Sequence, residues 1–239
     1  LEKHGADAIR WYFYVNSAPW LPNRFHDGAV SEGQRKFMGT LWNTYAFFVL
    51  YANIDNFDAT KYTLDVSSLS VLDKWMLSKL NTLAGEISAN IDNFEVGIAL
   101  AKLYEFIWDV FCDWYIELAK IRLQKGGAEA ETARAVLVYV MSETLKLLHP
   151  FMPFITEEIW QTLPHNGESI MISAWPEFCE ANAYAAEEAA AGTAGAAGAA
   201  AVAVAGESTT VCEDAKSATV AAGIATVGRF VTEGAAGVG

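Results

Sequence analysis

The chain predicts an all-α fold, a helical bundle followed by a low-complexity C-terminal tail. Apolar side chains recur at intervals of three and four over most of the first 178 residues, the signature of helices with one buried face. Prolines and a glycine pair fall where those runs stop. After Phe178 the composition turns abruptly to alanine and glycine. A chain of 239 residues, 53% hydrophobic with 8 tryptophans, has apolar material for a sizeable core.

In order, Gly5 to Val15 places Ala8, Ile9, Tyr12 and Phe13 at helical spacing, and Pro19 and Pro22 end it. A long helix follows from an N-cap at Ser31, with Phe37, Leu41, Tyr45, Phe48 and Tyr51 inward, to near Asp55. Residues 56–71 carry no clear period and read as a crossing loop. The next helix begins at Val71 or Leu72 and runs through Trp75, Leu80, Leu83 and Ile87 to about Ile91. Asp92 and Glu95 offer a capping-box-like start to a third long helix, whose inward residues are Leu100, Leu103, Tyr104, Ile107, Phe111, Trp114, Tyr115 and Leu118. Gly126 and Gly127 stop it.

A fourth helix spans Glu129 to His149 with Leu137, Val140, Met141, Leu145 and Leu148 inward, and Pro150 ends it. Pro153 suits the first turn of a short fifth helix, where Glu157 and Glu158 complement the positive end of the dipole. Ser169 to Pro176 reads as an extended strap across the bundle. Beyond Phe178, fifteen of the twenty-five residues from Ala181 to Ala205 are alanine, and such a segment has little apolar area to offset its ordering entropy. The tail is expected to be disordered or locally helical, from a shifted reading frame, an unrelated fused end or a true low-complexity extension. The expected division is therefore 1–30 as a connector, 31–178 as the bundle and 179–239 as the tail. The ANIDNF copies at Ala52 to Phe57 and Ala89 to Phe94 read as two helix-end turns rather than as a repeat.

Net charge is −13, and residues 1–178 alone hold 14 basic and 22 acidic side chains, so any phosphate contact must come from local clusters: Arg35 with Lys36, or Lys120, Arg122 and Lys125. No run of about 18 apolar residues suggests a membrane span, no secretory leader is read, and a cytoplasmic chain is expected. Three cysteines and four scattered histidines match no metal-ligand spacing, so no metal site is expected. Asp7, Asp27, Asp55, Asp113, Glu117, Glu157 and Glu158 are the acids to weigh for catalysis. Asp113 and Glu117 share a helix face at i and i+4 and read as solvated or paired with Lys120. His149 reads as a helix-end residue, Cys112 as core packing, and Gly126-Gly127 lacks the Lys and Ser of a phosphate loop.

The segments FCDWYIELAKIRL and LKLLHPFMPFITEEIW, between Phe111 and Trp160, closely resemble the anticodon-binding domain of valyl-tRNA synthetases, class I enzymes that attach valine to tRNA. That resemblance runs from about Glu86 to Phe178. GADAIRWYFYVNSAPW and KFMGTLWNTYAFFVLYANIDNF are more similar to isoleucyl-tRNA synthetases, and DKWMLSKLNTL resembles both, so the chain is either one member with mixed features or two related genes joined near Trp75 to Leu83. The resemblance implies a tRNA partner of the valine or isoleucine type and, in the complete enzyme, ATP-dependent aminoacylation with Mg. Neither a HIGH-type nor a KMSKS-type motif occurs in these residues, and the opening LEKHGADAIRWYF resembles the segment after the KMSKS loop. The expectation is a piece whose catalytic domain is missing, without cofactor and inactive alone.

Unstacked bases need a flat face to stack on and polar groups for their edges. Arg35, Asn43 and Phe47 have spacings that could share a side of the Ser31 helix, and Arg24 precedes it. The resemblance implies that this helix meets the anticodon stem and loop, with Asn43 and Phe47 among the contacts. Valyl enzymes commonly carry Arg before that Phe, where this chain has Ala46. Core packing for Phe47 and plain solvation for Arg35 and Asn43 are the competing readings, and a helical interaction module without tRNA binding is the competing function.

Overall fold

A computed structural model of the chain describes residues 2–16, 21–22, 24–54 and 68–189, with the backbone alone from 50 to 54. The described residues are helical, without a strand. Helix α1 (Gly5–Asn16) leads to α2 (Asp27–Gly33), which passes through a π-helical stretch (Gln34–Met38) directly into α3 (Gly39–Ile54). Helix α4 (Val71–Asp92) is followed by α5 (Val96–Glu105), a second π-helical stretch (Phe106–Tyr115) and α6 (Ile116–Lys125), again without a break. Helix α7 (Gly127–Leu148) turns at HPFM into α8 (Pro153–Thr162). The all-α bundle expected from the sequence is present.

Helix α7 packs against α3, α4, α6 and α8 and brings Leu137, Val140, Met141, Leu145 and Leu148 into the core, as their spacing predicts. Around them lie Met76, Ile87, Leu100, Leu103, Ile107 and Trp160, none more than slightly accessible. Each such side chain stabilises the fold by roughly 1.5–3 kcal/mol through apolar burial, which is why the local rules below are subordinate to this face. Phe37, Leu41, Tyr45 and Phe48 are inward as expected, while the side chain of Tyr51 lies outside the described ones.

Several local expectations are corrected. Ser31 is not an N-cap: the His26 carbonyl already accepts from the Ala29 and Val30 amides, so α2 starts at Asp27 and the Ser31 hydroxyl merely donates to the Asp27 carbonyl. Asp27 sits in that first turn, paired with Lys3 and with the buried His4. The expected boundary between residues 30 and 31 therefore falls inside a helix, and α1, assigned to the connector, packs on α5 and α8 of the bundle. Phe13 and Trp114 face solvent, at 47% and 53% exposure. The inward rings of α1 are Tyr12, as expected, and Trp11 in place of Phe13. Trp114 is displaced because the i→i+5 turn of the π-helical stretch carries Phe106, Phe111 and Tyr115 inward at steps of five and four, rotating position 114 outward.

The capping box expected from Asp92 and Glu95 does not form; Glu95 precedes α5 with no side-chain cap. These residues instead close α4. The Glu95 amide donates to the Asn90 carbonyl and the Phe94 amide to the Ile91 carbonyl, a Schellman pattern that puts Phe94 in the left-handed region at φ 61°. The second ANIDNF copy is thus a helix-end turn, as expected. Residues 55–57 of the first copy, like the crossing loop to residue 67, lie outside the described residues. Because Phe94 is 82% exposed, its ring offsets little of the strain. Phe94→Gly is expected to raise stability by about 1 kcal/mol, and a lower urea midpoint for the variant would contradict this.

Glycine is needed at Gly126 and Gly127, whose φ values are 72° and 74°; they end α6 and begin α7 in a turn that other residues adopt with strain. At α8, Pro153 occupies the first turn as expected, but Glu157 and Glu158 lie past it. Asp7 of α1 supplies the charge, accepting from the Ile155 amide at 2.7 Å and the Phe154 amide at 3.4 Å. Glu157 instead ties the strap to α8, accepting from Gln161, from the Ser169 hydroxyl and from the Ile170 amide. Burial would raise its carboxyl, but those three donors prevail and lower it.

The strap itself is one 3-10 turn (Ile170–Ile172) and then extended chain along α4, where Trp175 Nε1 donates to Ser88 Oγ. Phe178 lies so near Gly85 that a Cβ there would stand 3.2 Å from the Phe178 Cβ. The chain remains docked past the expected boundary at residue 178: Asn81 exchanges hydrogen bonds with the Cys179 backbone, and Glu188 accepts from Ser78 and Lys79. Helix α4 thus holds residues 179–189 by polar contacts, which a composition count does not register. The rest of the tail lies outside the described residues.

Candidate functional site

The candidate site is the outer side of the continuous α2, π-helical and α3 rod. Phe37, Leu41, Thr44, Tyr45 and Phe48 are buried along one side of it, whereas Arg35 and Asn43 are exposed on the other. Arg35, Gly39, Asn43 and Phe47 follow at steps of four, and the wider turn from Gln34 to Met38 keeps Arg35 in line with Asn43. Phe47 borders this face, half-buried and packed in part against the core. Arg24 is exposed in the segment before α2, where its carbonyl accepts from the Tyr12 hydroxyl of α1, and Tyr12 Oη in turn accepts from the His26 amide. Arg35, Asn43 and Phe47 are brought to one side of one helix; Arg24 is held at that helix's entrance.

Lys120 was grouped by sequence with Arg122 and Lys125, but it belongs to this face. Its Nζ stands 5.2 Å from the centre of the Phe47 ring, a cation–π contact between α6 and α3, while also donating to Glu117. No local pattern could have paired Lys120 with Phe47. Lys36 is ion-paired with Glu32 one turn earlier at 2.6 Å, as Lys120 is with Glu117. Arg122 is unavailable. Its guanidinium donates to both oxygens of the fully buried Asp73, at 2.7 and 2.9 Å, and that carboxylate also accepts from the Tyr115 hydroxyl and from Ser70. The expected basic cluster therefore dissolves: Lys120 is a rim cation, Arg122 belongs to an internal pair, and Lys125 is exposed at the end of α6.

Of the acids weighed for catalysis, Asp55 lies outside the described residues, Asp27 is engaged by Lys3 and His4, and Asp7 by the first amides of α8. Asp113 and Glu117 are both exposed, and Glu117 is paired with Lys120 as the helical spacing suggested. His149 faces Thr156 Oγ1 through Nδ1 at 2.8 Å. Among the described residues no group of three or more His, Cys, Asp or Glu side chains that could hold a metal ion is found, and no helix is long and apolar enough to cross a membrane.

Cys112 anchors α3 to the second π-helical stretch, with its Sγ 3.0 Å from Thr44 Oγ1. Burial pushes its thiol up to about 11, with the Thr44 hydrogen bond opposing and the Asp113 charge adding to the rise. At about pH 8, iodoacetamide is expected to label the exposed Cys179 at least about tenfold faster than Cys112. Peptide mapping by mass spectrometry checks this, and equal rates would show that α3 and the second π-helical stretch separate readily.

A model of the family described as "Anticodon-binding domain of tRNA ligase" matches residues 73–222. A valine--tRNA ligase of Carboxydothermus hydrogenoformans is 44% identical over 177 residues, covering 74% of this chain and 20% of that protein. One of Bacillus cereus is 46% identical over 179 residues, with the same coverage. An isoleucine--tRNA ligase of Clostridium kluyveri is 43% identical over 185 residues, covering 74% of this chain and 18% of its own length. The chain thus spans about a fifth of the length of these relatives. Among solved structures, a LeuRS of Agrobacterium radiobacter K84, determined as a ternary complex with tRNA and LeuAMS, matches with a TM-score of 0.55 at 18% identity over 76% of this chain and 20% of that one. At that identity the likeness concerns the fold alone.

Proposed function

We propose, for a chain that belongs to the family of anticodon-binding domains of tRNA ligases, that it holds the anticodon stem and loop of a tRNA on the outer side of the α2–α3 rod. The observation that carries this reading is that side: Arg35 and Asn43 exposed in line, Phe47 bordering them, and the Lys120 ammonium over the Phe47 ring. Arg35 and Lys120 supply charge for phosphates, Asn43 offers both a donor and acceptor to a base edge, and Phe47 supplies an aromatic edge for an unstacked base. Arg24, at the entrance of the rod, extends the same basic path.

Valine is the preferred cognate, because valine--tRNA ligases are prominent among the relatives, and isoleucine is the second reading, supported by the Clostridium kluyveri protein. In the complete enzyme the domain would position the tRNA for ATP-dependent aminoacylation, with ATP and Mg handled by the part of the enzyme outside this chain. The net charge of −13 favours a weak, strongly salt-dependent contact, and it is also what favours the rival reading of a protein-interaction module.

Fluorescence anisotropy with labelled tRNA transcripts bearing valine and isoleucine anticodons separates these. Binding at low salt is expected, weakened by about tenfold in Phe47→Ala. Arg35→Ala is expected to reduce the salt slope by about one. Absence of binding to either tRNA at low salt would leave the interaction module as the function.

A further inference from the structure

We propose that the cleft between α1, the end of α7, the start of α8 and the strap binds a small aromatic anion, a flat apolar group that carries a carboxylate or phosphate. This site is separate from the α2–α3 face and does not depend on the function proposed above. The cleft encloses about 400 Å³, the size of a small-ligand pocket. Its walls are mainly apolar, from Pro150, Pro153, Ile170, Met171 and Trp175, and three basic side chains line it: Arg10, Lys146 and His149. An acidic chain that gathers three basic groups around an apolar hollow has made a place where an anion gains from charge and its body gains from burial.

The basic groups are held before any ligand arrives. Arg10 donates through Nε to the Phe151 carbonyl at 3.0 Å and through Nη2 to the Pro150 carbonyl at 2.8 Å, which fixes the guanidinium while engaging only two of its five donors. Lys146 is held by Glu143 at 2.6 Å and shares a face of α7 with His149 at i+3. Thr156 has one hydroxyl proton, and it is directed to the Met152 carbonyl at 2.7 Å. The Thr156 oxygen is then the acceptor for His149 Nδ1–H, so neutral His149 carries its proton on Nδ1 and leaves Nε2 as a lone pair.

Burial lowers the His149 pKa below its ordinary 6.5, against the opposing charges of Glu157 and Asp7. An anion beside Nε2 favours the imidazolium and must therefore be taken up with a proton. The charges that act on the ring are those of Glu157 from α8 and Asp7 from α1; Arg10 of α1 and Lys146 of α7, the latter paired with Glu143, line the same cleft, and Ser173 and Trp175 line it from the strap. Among the described residues Arg10, Lys146 and His149 line the cleft and no carboxylate does, so an anion inside it meets donors first, while the charges of Asp7, Glu143 and Glu157 act from behind that lining.

Titration calorimetry on the full chain tests this with four probes: benzoate, phenyl phosphate, benzyl alcohol for the ring without charge, and acetate for charge without the ring. Saturable binding of benzoate or phenyl phosphate is expected below about 10 mM, with benzyl alcohol and acetate at least about tenfold weaker. The tighter of the two aryl anions identifies carboxylate or phosphate as the natural group. Benzoate stays ionised between about pH 7.5 and pH 5.5, so its affinity reports His149 and is expected to rise several-fold as pH falls. Lys146→Met and His149→Gln, checked for unchanged circular dichroism, are each expected to weaken benzoate about tenfold, and the latter to abolish the pH dependence. Failure of both aryl anions to saturate, equal binding of benzyl alcohol, or wild-type affinity in both folded variants would overturn the proposal.

Discussion

Asp73→Ala is expected to lower the unfolding free energy by about 3–5 kcal/mol, because it removes one partner of a buried ion pair and leaves the other in place. Asp73 is fully buried, begins α4 by accepting from the Ser70 amide and hydroxyl, and receives two bonds from Arg122 and one from Tyr115. One carboxylate therefore ties α4 to both α6 and the π-helical stretch before it. Its loss strands a guanidinium that is only 15% accessible and a wholly buried phenol, and opens the capping box of Ser70 and Asp73. For a domain of this size the thermal midpoint should fall by about 6–20 °C. Asp73→Leu combined with Arg122→Met and Tyr115→Phe is expected to recover much of the loss, since apolar replacement of all partners removes the stranded groups. If Asp73→Ala alone changed the midpoint by less than that range, the network would contribute no more than a surface pair.

Acid sensitivity follows from the same site. Burial by itself would raise the Asp73 carboxyl, but the hydrogen bonds from Arg122, Tyr115 and Ser70, with the charge of Arg122, outweigh it and hold the group below its ordinary value of 3.8. Tyr115 is pushed the other way, well above the ordinary phenol range, by burial first and then by the Asp73 charge, so it stays a donor. A carboxyl lowered on folding contributes stability that is complete above its unfolded pKa and is lost as pH falls through the folded one. The stability gap between wild type and Asp73→Ala is therefore expected to be constant near neutrality and to shrink below about pH 4. Urea melts at several pH values measure it.

Phe37→Ala is the second large expectation, at about 3–5 kcal/mol. Phe37 lies in the first π-helical stretch with 1% of its surface accessible, stacked on Trp11 of α1 with ring centres 4.0 Å apart and planes within 8°. On the other side its centroid is 5.5 Å from that of Tyr104, which stacks on Trp108. Four rings thus connect α1, the long rod, α5 and the second π-helical stretch. Truncating the second of them leaves a cavity between Trp11 and Tyr104 that neither ring can close without leaving its own packing. Because Arg35 lies two residues away on the opposite side, tRNA affinity is expected to fall with stability in Phe37→Ala. Phe37→Leu, which keeps most of the volume, should cost less than half as much. Equal losses for the two variants would mean that ring stacking, not volume, sets the cost.

Much of the candidate face was legible before the structure because Arg35, Asn43 and Phe47 belong to one helix, and helical spacing converts sequence separation directly into direction. Even the unforeseen π-helical turn preserved that alignment. Illegible was the company Phe47 keeps. Its half-burial and the Lys120 ammonium above it depend on where α6 crosses α3, and no period relates the two segments. Arg122 shows the converse: it reads as an exposed helix-end cation until α4 is placed beside it.

By itself the sequence determined the helices, their order and most of their ends, along with the inward residues of α3, α4 and α7. These rest on local physics: an apolar face repeats with the helical turn, proline removes a donor, and glycine alone adopts positive φ without strain. Only the tertiary structure decided that Asp73 is the polar centre of the bundle, that Asp7 charges the start of α8, that Trp114 turns outward, and that the chain stays docked through residue 189. Each of those couples residues far apart in the chain, or depends on a change of helical pitch that the core imposes, and such pairings carry no signal until the helices meet.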